Sequence, residues 1–309
     1  MGQVIGNMEF NRQQANRSVK KKVHFIINPV SGTGRHDDLV TAIDQNMDAD
    51  RYDCTVSVSD SPRHAIQLAV QAIEADADAI VTAGGDGSIN EIAQTIVGKK
   101  IALGIIPSGS GNGLAHHLRI PFRINKAFEV INAFRVKTID TLQVNGKTCV
   151  SIAGVGFDTV VAQKFQLDAH RGFQAYFRII LSEYPLYKPR KYTLWIDGVK
   201  HREKALFISF ANSSQFGYNA YIAPRAEVDD GWMEVCVVRK VPMAKVALVV
   251  NLLFLKQIDR SRYVQIIRGK HAILKGNNEG LVNVDGEIEP LGDELEIVVN
   301  PLSLDVIVP

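Results

Sequence analysis

The chain has 309 residues, of which 46% are hydrophobic and 22% charged, with 35 basic and 33 acidic side chains. This composition excludes a disordered, collagen-like or coiled-coil chain. The near-neutral charge argues against nucleic acid as a partner, because neutralising phosphates requires an excess of Lys and Arg. Three widely separated cysteines indicate neither a disulfide framework nor a zinc site, which is typical of a cytoplasmic protein.

The first half of the chain alternates short apolar strands with amphipathic helices. Residues 1–21 are polar and are expected to form a loose extension. Strands are predicted at residues 23–28, 52–58, 79–83 and 102–106, and helices at 37–47, 61–74 and 88–96. Because the strands are apolar on both faces, the pattern predicts a parallel sheet covered by helices on both sides. We therefore expect a doubly wound α/β domain over residues 22–145.

After residue 145 the predicted strands follow one another closely. They lie at residues 148–152, 192–196, 205–210, 233–238, 264–267, 271–275, 281–284 and 294–299. This spacing predicts an antiparallel β-sandwich or barrel, taken as a β-sandwich domain over residues 146–299, and a last strand at residues 300–309 could return to the first domain. Apolar helices at 171–184 and 243–257 interrupt it. We predict that both are mainly core, with contact to a membrane interface as the alternative.

Three glycine-rich turns follow strands of the first domain, at residues 28–34, 84–88 and 107–112. The carboxyl ends of parallel strands meet at one edge of a sheet, where ligands bind. Backbone N–H groups in such turns suit phosphate, so three turns at one edge predict a polyphosphate ligand. Asp86 is the one carboxylate inside them. It could hold magnesium or accept a proton, or it could cap a helix starting at Ser88; spacing alone leaves these alternatives level.

The turn at residues 84–91, GGDGSINE, resembles the nucleotide-binding signature of the diacylglycerol kinase catalytic family, which includes sphingosine and ceramide kinases and bacterial lipid kinases. Further segments resemble family motifs in the same order, namely 28–34 (NPVSGTG), 107–112 (PSGSGN), 154–158 (GVGFD), 171–176 (RGFQAY), 224–231 (PRAEVDDG) and 285–287 (DGE). The chain departs from the family at Ser59, Ser88 and Ser110, where threonine is commoner. It also has Arg63 in place of the usual glycine.

The resemblance implies an α/β nucleotide-binding domain like those of NAD kinases and diacylglycerol kinases, followed by a β-sandwich, with the active site between them. It implies an ATP site formed by Asn28, Pro29, Ser31, Gly32, Ser59, Gly84, Gly85, Asp86, Gly87, Ser88, Asn90 and Ser110. Glu287 is implied as the catalytic acid/base, and Asp86 is implied beside the transferring phosphoryl group with magnesium, as a nucleotide ligand or as the base; the resemblance does not decide which of the two takes the proton. A structural magnesium site is implied at Asp230 with the backbone carbonyls of Glu227 and Trp232; the alternative there is an ordinary Asp-Gly turn.

The expected function is ATP- and Mg²⁺-dependent transfer of the γ-phosphate to a lipid hydroxyl, of diacylglycerol or a sphingoid-type base. Two alternatives remain, a NAD-kinase-like kinase of a soluble substrate and a catalytically silent lipid- or nucleotide-binding protein. Expected partners are a lipid substrate at a membrane surface and no nucleic acid, with a homodimer as one compatible state. The expected location is the cytoplasm, with peripheral attachment to the inner membrane face as an alternative.

Overall fold

The computed structural model describes residues 20–29, 36–61, 63–109, 111–168, 172–277 and 279–309. Its helices are α1 (His36–Asn46), α2 (His64–Glu74), α3 (Asp86–Ile96), α4 (Gly113–His117), α5 (Ile124–Ala133), α6 (Phe157–Leu167), α7 (Phe173–Glu183) and α8 (Met243–Phe254). Its strands are β1 (Lys21–Ile27), β2 (Tyr52–Val58), β3 (Ala79–Gly84), β4 (Ala102–Pro107), β5 (Val136–Val144), β6 (Lys147–Cys149), β7 (Ile152–Gly156), β8 (Arg190–Ile196), β9 (Val199–Ala205), β10 (Phe207–Ala211), β11 (Met233–Val238), β12 (Val264–Gly269), β13 (His271–Lys275), β14 (Leu281–Val284), β15 (Glu287–Pro290) and β16 (Glu294–Ile307).

The first domain is a parallel sheet in the order β2-β1-β3-β4, covered by helices on both faces. Every residue of β3 and β4 is buried, as expected for central strands. One face packs through Phe25 onto Ile43 of α1 and Phe128 of α5. The other packs through Ile80 onto Ile89 of α3 and the apolar side of α2. The predicted doubly wound α/β architecture is confirmed.

The second domain is a sandwich whose outer sheet has the order β12-β11-β10-β7-β14-β15, with antiparallel neighbours throughout. Its second layer is formed by β16, β13, β8 and β9, joined by β5 and β6. Between the layers lies an apolar core that includes Phe210, Val235, Leu274 and Ile297. The predicted antiparallel sandwich is therefore confirmed.

Strand β16 belongs to both domains. Its first half pairs with β13, whereas near its end Val306 pairs in parallel with Leu103 of β4. The pairing with β5 shifts register between Asn300 and Leu304, next to Pro301, which has no N–H to donate. The sheet of the first domain thus continues without a break into the sandwich, as one ten-stranded sheet.

Several elements differ from the sequence-based expectation. Strand β9 was not predicted because it is an edge strand whose sequence, VKHREKA, is mostly polar, as is usual for edges. Strand β5 and helices α5 and α6 were also not predicted. The single strand expected at residues 148–152 is two strands, since the N–H groups of Val150 and Ser151 bind the Asp285 carboxylate instead of a neighbouring strand.

The two apolar helices are less buried than predicted. Helix α7 buries Ala175 and Ile179 but leaves Leu181 53% exposed, so the prediction of a core helix holds for one face. For α8 that prediction is wrong, because none of its residues is buried. Within the described part of the chain, no helix is both long and apolar enough to cross a membrane.

Candidate active site

The described parts of the glycine-rich turns, residues 28–29, 84–88, 107–109 and 111–112, lie at the carboxyl edge of the parallel sheet, as their positions predict. The N–H groups of Ser108 and Gly109 donate to the Gly84 carbonyl, at 3.0 and 3.2 Å. The backbone N–H of Asn28 donates to the Ala83 carbonyl at 3.1 Å. A Cβ added to Gly109 would overlap the Cα of Gly85, so only glycine lets the second and third turns approach this closely.

Helix α3 begins at Asp86, directly after the second turn, with Gly85 as its N-cap. The first N–H groups of a helix have no intrahelical acceptor and carry partial positive charge, which suits an anion. The Asn28 side-chain amide lies beside this turn and donates to the Ser88 hydroxyl at 2.9 Å. The second turn therefore presents a helix N-terminus at the sheet edge where a phosphate ligand is predicted.

Asp86 does not cap a helix starting at Ser88, so that alternative is wrong. Its carboxylate accepts hydrogen bonds from a different segment, the N–H groups of Asn112 at 2.7 Å and Gly113 at 2.8 Å. It thereby fixes the third turn and the start of α4. Burial raises the pKa of Asp86 to about 7, helped by the charge of Asp285 and opposed by the two backbone hydrogen bonds.

Glu287 approaches the same helix N-terminus from the second domain. It is the first residue of β15 and is exposed. Its Oε2 accepts a hydrogen bond from the side chain of Gln166 on α6, at 2.8 Å. Its Oε1 lies 2.7 Å from the position that a Cβ on Gly87 would take. The two predicted catalytic carboxylates thus lie at the first turn of α3, Asp86 as its first residue and Glu287 beside Gly87 from the second domain.

The Asp-Gly-Glu turn is held by a buried carboxylate that sequence reasoning gave no role. Asp285 accepts hydrogen bonds from three consecutive backbone N–H groups, those of residues 150, 151 and 152, at 2.7, 2.8 and 3.0 Å. It also accepts from the Asn90 amide at 2.7 Å and the Cys149 thiol at 3.3 Å. Burial raises the pKa of Asp285. Because Asn90 belongs to α3, this carboxylate joins the two domains beside the cleft.

A second buried carboxylate, Asp158, supports the same turn. The side-chain amide of Asn283 donates to its Oδ2 at 2.9 Å, while the side-chain Oδ1 of Asn283 accepts from the Gly286 N–H at 3.0 Å. Burial raises the pKa of Asp158 to about 6. Gln166 and Asn283 carry no local sequence signal; they reach Glu287 and its turn only through the fold. Asp158 lies inside the recognised segment 154–158, which is the one signal that pointed to it.

The other residues predicted to bind ATP lie in several different places in the structure. Ser59 follows β2, and its N–H and hydroxyl both donate to the Ile27 carbonyl, at 2.9 and 3.3 Å. The Asn90 amide donates to the Thr148 carbonyl at 2.8 Å as well as to Asp285, so it lies at the domain junction. Pro29 follows Asn28 at the sheet edge. Ser31, Gly32 and Ser110 lie outside the described residues.

The predicted magnesium site at Asp230 has a different arrangement. The Asp230 carboxylate accepts from the Trp232 N–H at 3.0 Å on one oxygen and from the Arg268 guanidinium on the other. Glu227 is exposed. Among the described residues, no three His, Cys, Asp or Glu side chains gather as a metal site. Because an arginine already neutralises the carboxylate, this donor set does not fit a cation, and no step is derived through a metal there.

Comparison with known proteins agrees with this architecture. The chain matches the family described as "Diacylglycerol kinase catalytic domain" over residues 22–144, and that described as "YegS C-terminal NAD kinase beta sandwich-like domain" over residues 151–308. A crystal structure of a diacylglycerol kinase from Bacillus anthracis superposes with a TM-score of 0.72 at 20% identity, covering 94% of this chain and 97% of that one. At that identity the likeness concerns the fold.

Curated relatives match along most of their length. A diacylglycerol kinase of Bacillus subtilis is 25% identical over 86% of this chain and 90% of its own. A diacylglycerol kinase of Mycobacterium tuberculosis is 27% identical over 93% of this chain and 95% of its own. A protein of Citrobacter koseri named "Probable lipid kinase YegS-like" is 29% identical over 74% and 77%. With both domains matched in order, the chain belongs to the diacylglycerol kinase catalytic-domain family of lipid kinases.

Proposed function

We propose that the protein transfers the γ-phosphate of ATP to a hydroxyl group of a membrane lipid, with diacylglycerol as the first candidate substrate. The observation that supports this most directly is the position of two carboxylates at the start of α3, where Asp86 is the first residue and Glu287 Oε1 lies 2.7 Å from the place that a Cβ on Gly87 would take. A helix N-terminus can bind phosphate, and a carboxylate beside it can accept the proton of an attacking hydroxyl. Several curated relatives are named as diacylglycerol kinases, which supports the choice of lipid.

The glycine turns would hold the phosphates of ATP. Phosphoryl transfer depends mainly on positioning and on electrostatic stabilisation of the phosphate oxygens. The N–H groups at the start of α3 supply donors without a side chain in the way, because the turn consists of Gly84, Gly85 and Gly87 around Asp86. The packing of Gly85 on Gly109 keeps the second and third turns in one arrangement, so the donors need not reorganise during the reaction.

Glu287 is the better candidate for the proton acceptor. Its side chain is exposed, and its carboxylate is oriented by the Gln166 amide. Asp86, in contrast, uses one oxygen for each of two backbone N–H groups, so we assign it the role of positioning the third turn. Removing a general base typically costs about 10²- to 10⁴-fold in turnover.

Magnesium would be expected to arrive with ATP. This ion is usually held by one or two carboxylates together with the phosphates of the substrate, and it would neutralise charge on the phosphate oxygens. An exposed carboxylate at Glu287, beside the helix N-terminus, fits that pattern. The protein's own residues would bind the phosphates at the N-terminus of α3. Gln166 would orient the Glu287 carboxylate, and Asp285 would hold the two domains together.

The test is transfer of label from γ-labelled ATP to a panel of diacylglycerol, monoacylglycerol, ceramide and sphingoid bases, with NAD and fructose 6-phosphate as soluble controls. We expect label on a lipid, a loss of about 10²-fold or more in Glu287→Gln, and little change in the matched control Glu289→Gln on the same strand. Label on NAD or the sugar would replace the lipid assignment. No label on any acceptor would favour a binding protein, and full turnover of Glu287→Gln would refute the assignment of the base.

A further inference from the structure

Helix α8 is an apolar helix on the outside of the protein. It has 12 residues, MAKVALVVNLLF, with Lys245 as its single charged side chain, and it buries none of them. Val249, Leu252 and Leu253 are partly buried and pack against the outer side of the sandwich. The helix is therefore seated on the domain by one side only, and its other side faces outward.

The outward side of α8 is apolar where a surface helix is normally polar. Its exposed residues at positions i, i+3, i+4, i+7 and i+11 are Ala244, Ala247, Leu248, Asn251 and Leu255, the last directly after the helix. Leu248 is 63% exposed and Leu255 is 55% exposed. Four of these five positions are apolar, the reverse of the pattern that keeps a surface helix in water.

Helix α7 extends this apolar surface. Val246 of α8 packs against the same cluster as Ile179 and Ile180 of α7. Beyond that contact, Leu181 of α7 is 53% exposed and Leu186, just after it, is 75% exposed. Exposed leucines thus occur on both of these helices, which are joined by the contact of Val246 with the cluster around Ile179.

Cationic side chains flank α8 at both ends. Residues 240–262 contain five basic side chains and one acidic, although the whole chain carries a net charge of only +2. Near the start of the helix, Lys245 and Arg262 both contact the Tyr263 hydroxyl, to which Arg262 donates at 2.9 Å. Just after its end, the Lys256 ammonium lies 4.3 Å from the centre of the Tyr221 ring. An apolar stripe flanked by cations is complementary to an anionic lipid bilayer, which has negatively charged headgroups above an apolar interior.

A short loop connects α8 to the candidate active site. Gly217 packs on the backbone of Gly111, in the third glycine turn, so closely that a Cβ there would overlap the Gly111 carbonyl. Four residues later, the N–H of Tyr221 donates to the Leu253 carbonyl of α8 at 3.1 Å. A surface bound at α8 would therefore lie one loop away from the turn that Asp86 fixes.

We propose that α8, with Leu255 and the flanking cations, docks the protein onto an anionic lipid bilayer, with the apolar stripe lying between the headgroups. This proposal rests on the proposed function, because docking would serve to deliver a membrane lipid to the active site. Vesicle binding is measured without any phosphate transfer, so membrane docking and the kinase activity can be refuted separately.

The test is sedimentation of the protein with vesicles of phosphatidylcholine, with and without phosphatidylglycerol. We expect binding that requires phosphatidylglycerol and weakens with added salt. Leu248→Asp should lower the vesicle-bound fraction about tenfold or more, since a leucine no longer enters the apolar layer. The matched control is Leu302→Asp on β16, because Leu302 is 60% exposed and lies away from α8; it should bind as the wild type does.

Equal binding of the two variants, or no binding by the wild type, would overturn the proposal. A change from dimer to monomer in Leu248→Asp, with vesicle binding unchanged, would instead assign the surface to a second copy of the chain. A short-chain, water-soluble diacylglycerol separates docking from catalysis: Leu248→Asp should phosphorylate it like the wild type. Vesicle binding without phosphate transfer to any acceptor would refute the proposed function alone, and transfer without vesicle binding would refute docking alone.

Discussion

Replacing Asp285 by alanine tests whether the buried carboxylate holds the two domains together. The substitution would leave three backbone N–H groups and the Asn90 amide without their acceptor. A buried donor that loses its partner costs about 1–3 kcal/mol. Part of this cost is offset, because burial raises the pKa of Asp285 and so opposes its charged form. We expect Asp285→Ala to lower the free energy of unfolding by about 3–5 kcal/mol, the range measured for broken buried charge networks.

Chemical denaturation monitored by fluorescence and circular dichroism measures this loss. Asp293→Ala is the matched control, since Asp293 is exposed in the turn between β15 and β16. This substitution should change the free energy of unfolding by less than about 0.5 kcal/mol. Hydrogen exchange gives a local readout, because the amides of residues 150–152 should exchange faster in Asp285→Ala. A loss below about 1 kcal/mol, with unchanged exchange at those amides, would refute the role given to the carboxylate.

Two further predictions concern the carboxyl groups around the cleft. Burial raises the pKa of Asp158 from 3.8 to about 6. The folded protein therefore binds a proton at this carboxyl more tightly than the unfolded chain does. As a result, the contribution of Asp158 to the free energy of unfolding falls as the pH rises from 3.8 to about 6. The stability of Asp158→Asn relative to the wild type should therefore increase by about 2 kcal/mol from pH 4 to pH 7 in denaturation experiments; a pH-independent difference would contradict this. Gly87→Ala places a Cβ 2.7 Å from Glu287 Oε1, so turnover should fall at least about tenfold with little change in melting temperature. Unchanged turnover would show that Glu287 need not lie against α3.

Much of the fold could be predicted because its strands are apolar and end in turn residues. Strand β2 and strands β11, β13 and β14 were predicted with the bounds that the structure shows. Strand β9 could not be, because its exposed edge position makes its sequence polar. The exposure of α8 was also beyond prediction, since an apolar sequence does not reveal whether protein or lipid covers it.

The candidate site was predictable where a single local motif carries it. The glycine turns and Glu287 lie in segments with recognisable residue patterns. Gln166 is separated from Glu287 by 121 positions, and its contact exists only because α6 packs beside the turn. At Arg63 the fold imposes a backbone conformation that the residue itself disfavours. Arg63 is left-handed, with φ of 65°, a conformation that the family's usual glycine would adopt more easily.

The shared strand β16 has a consequence for how the protein is made. The first domain's sheet continues past β4 through a strand that lies more than 180 residues later in the chain, as the pairing of Val306 with Leu103 shows. During synthesis the edge of β4 must therefore stay uncovered until nearly the whole chain has left the ribosome. Domains usually fold in order from the amino terminus. Here the first domain is expected to complete its sheet last, and a fragment ending near residue 145 should aggregate through that open edge.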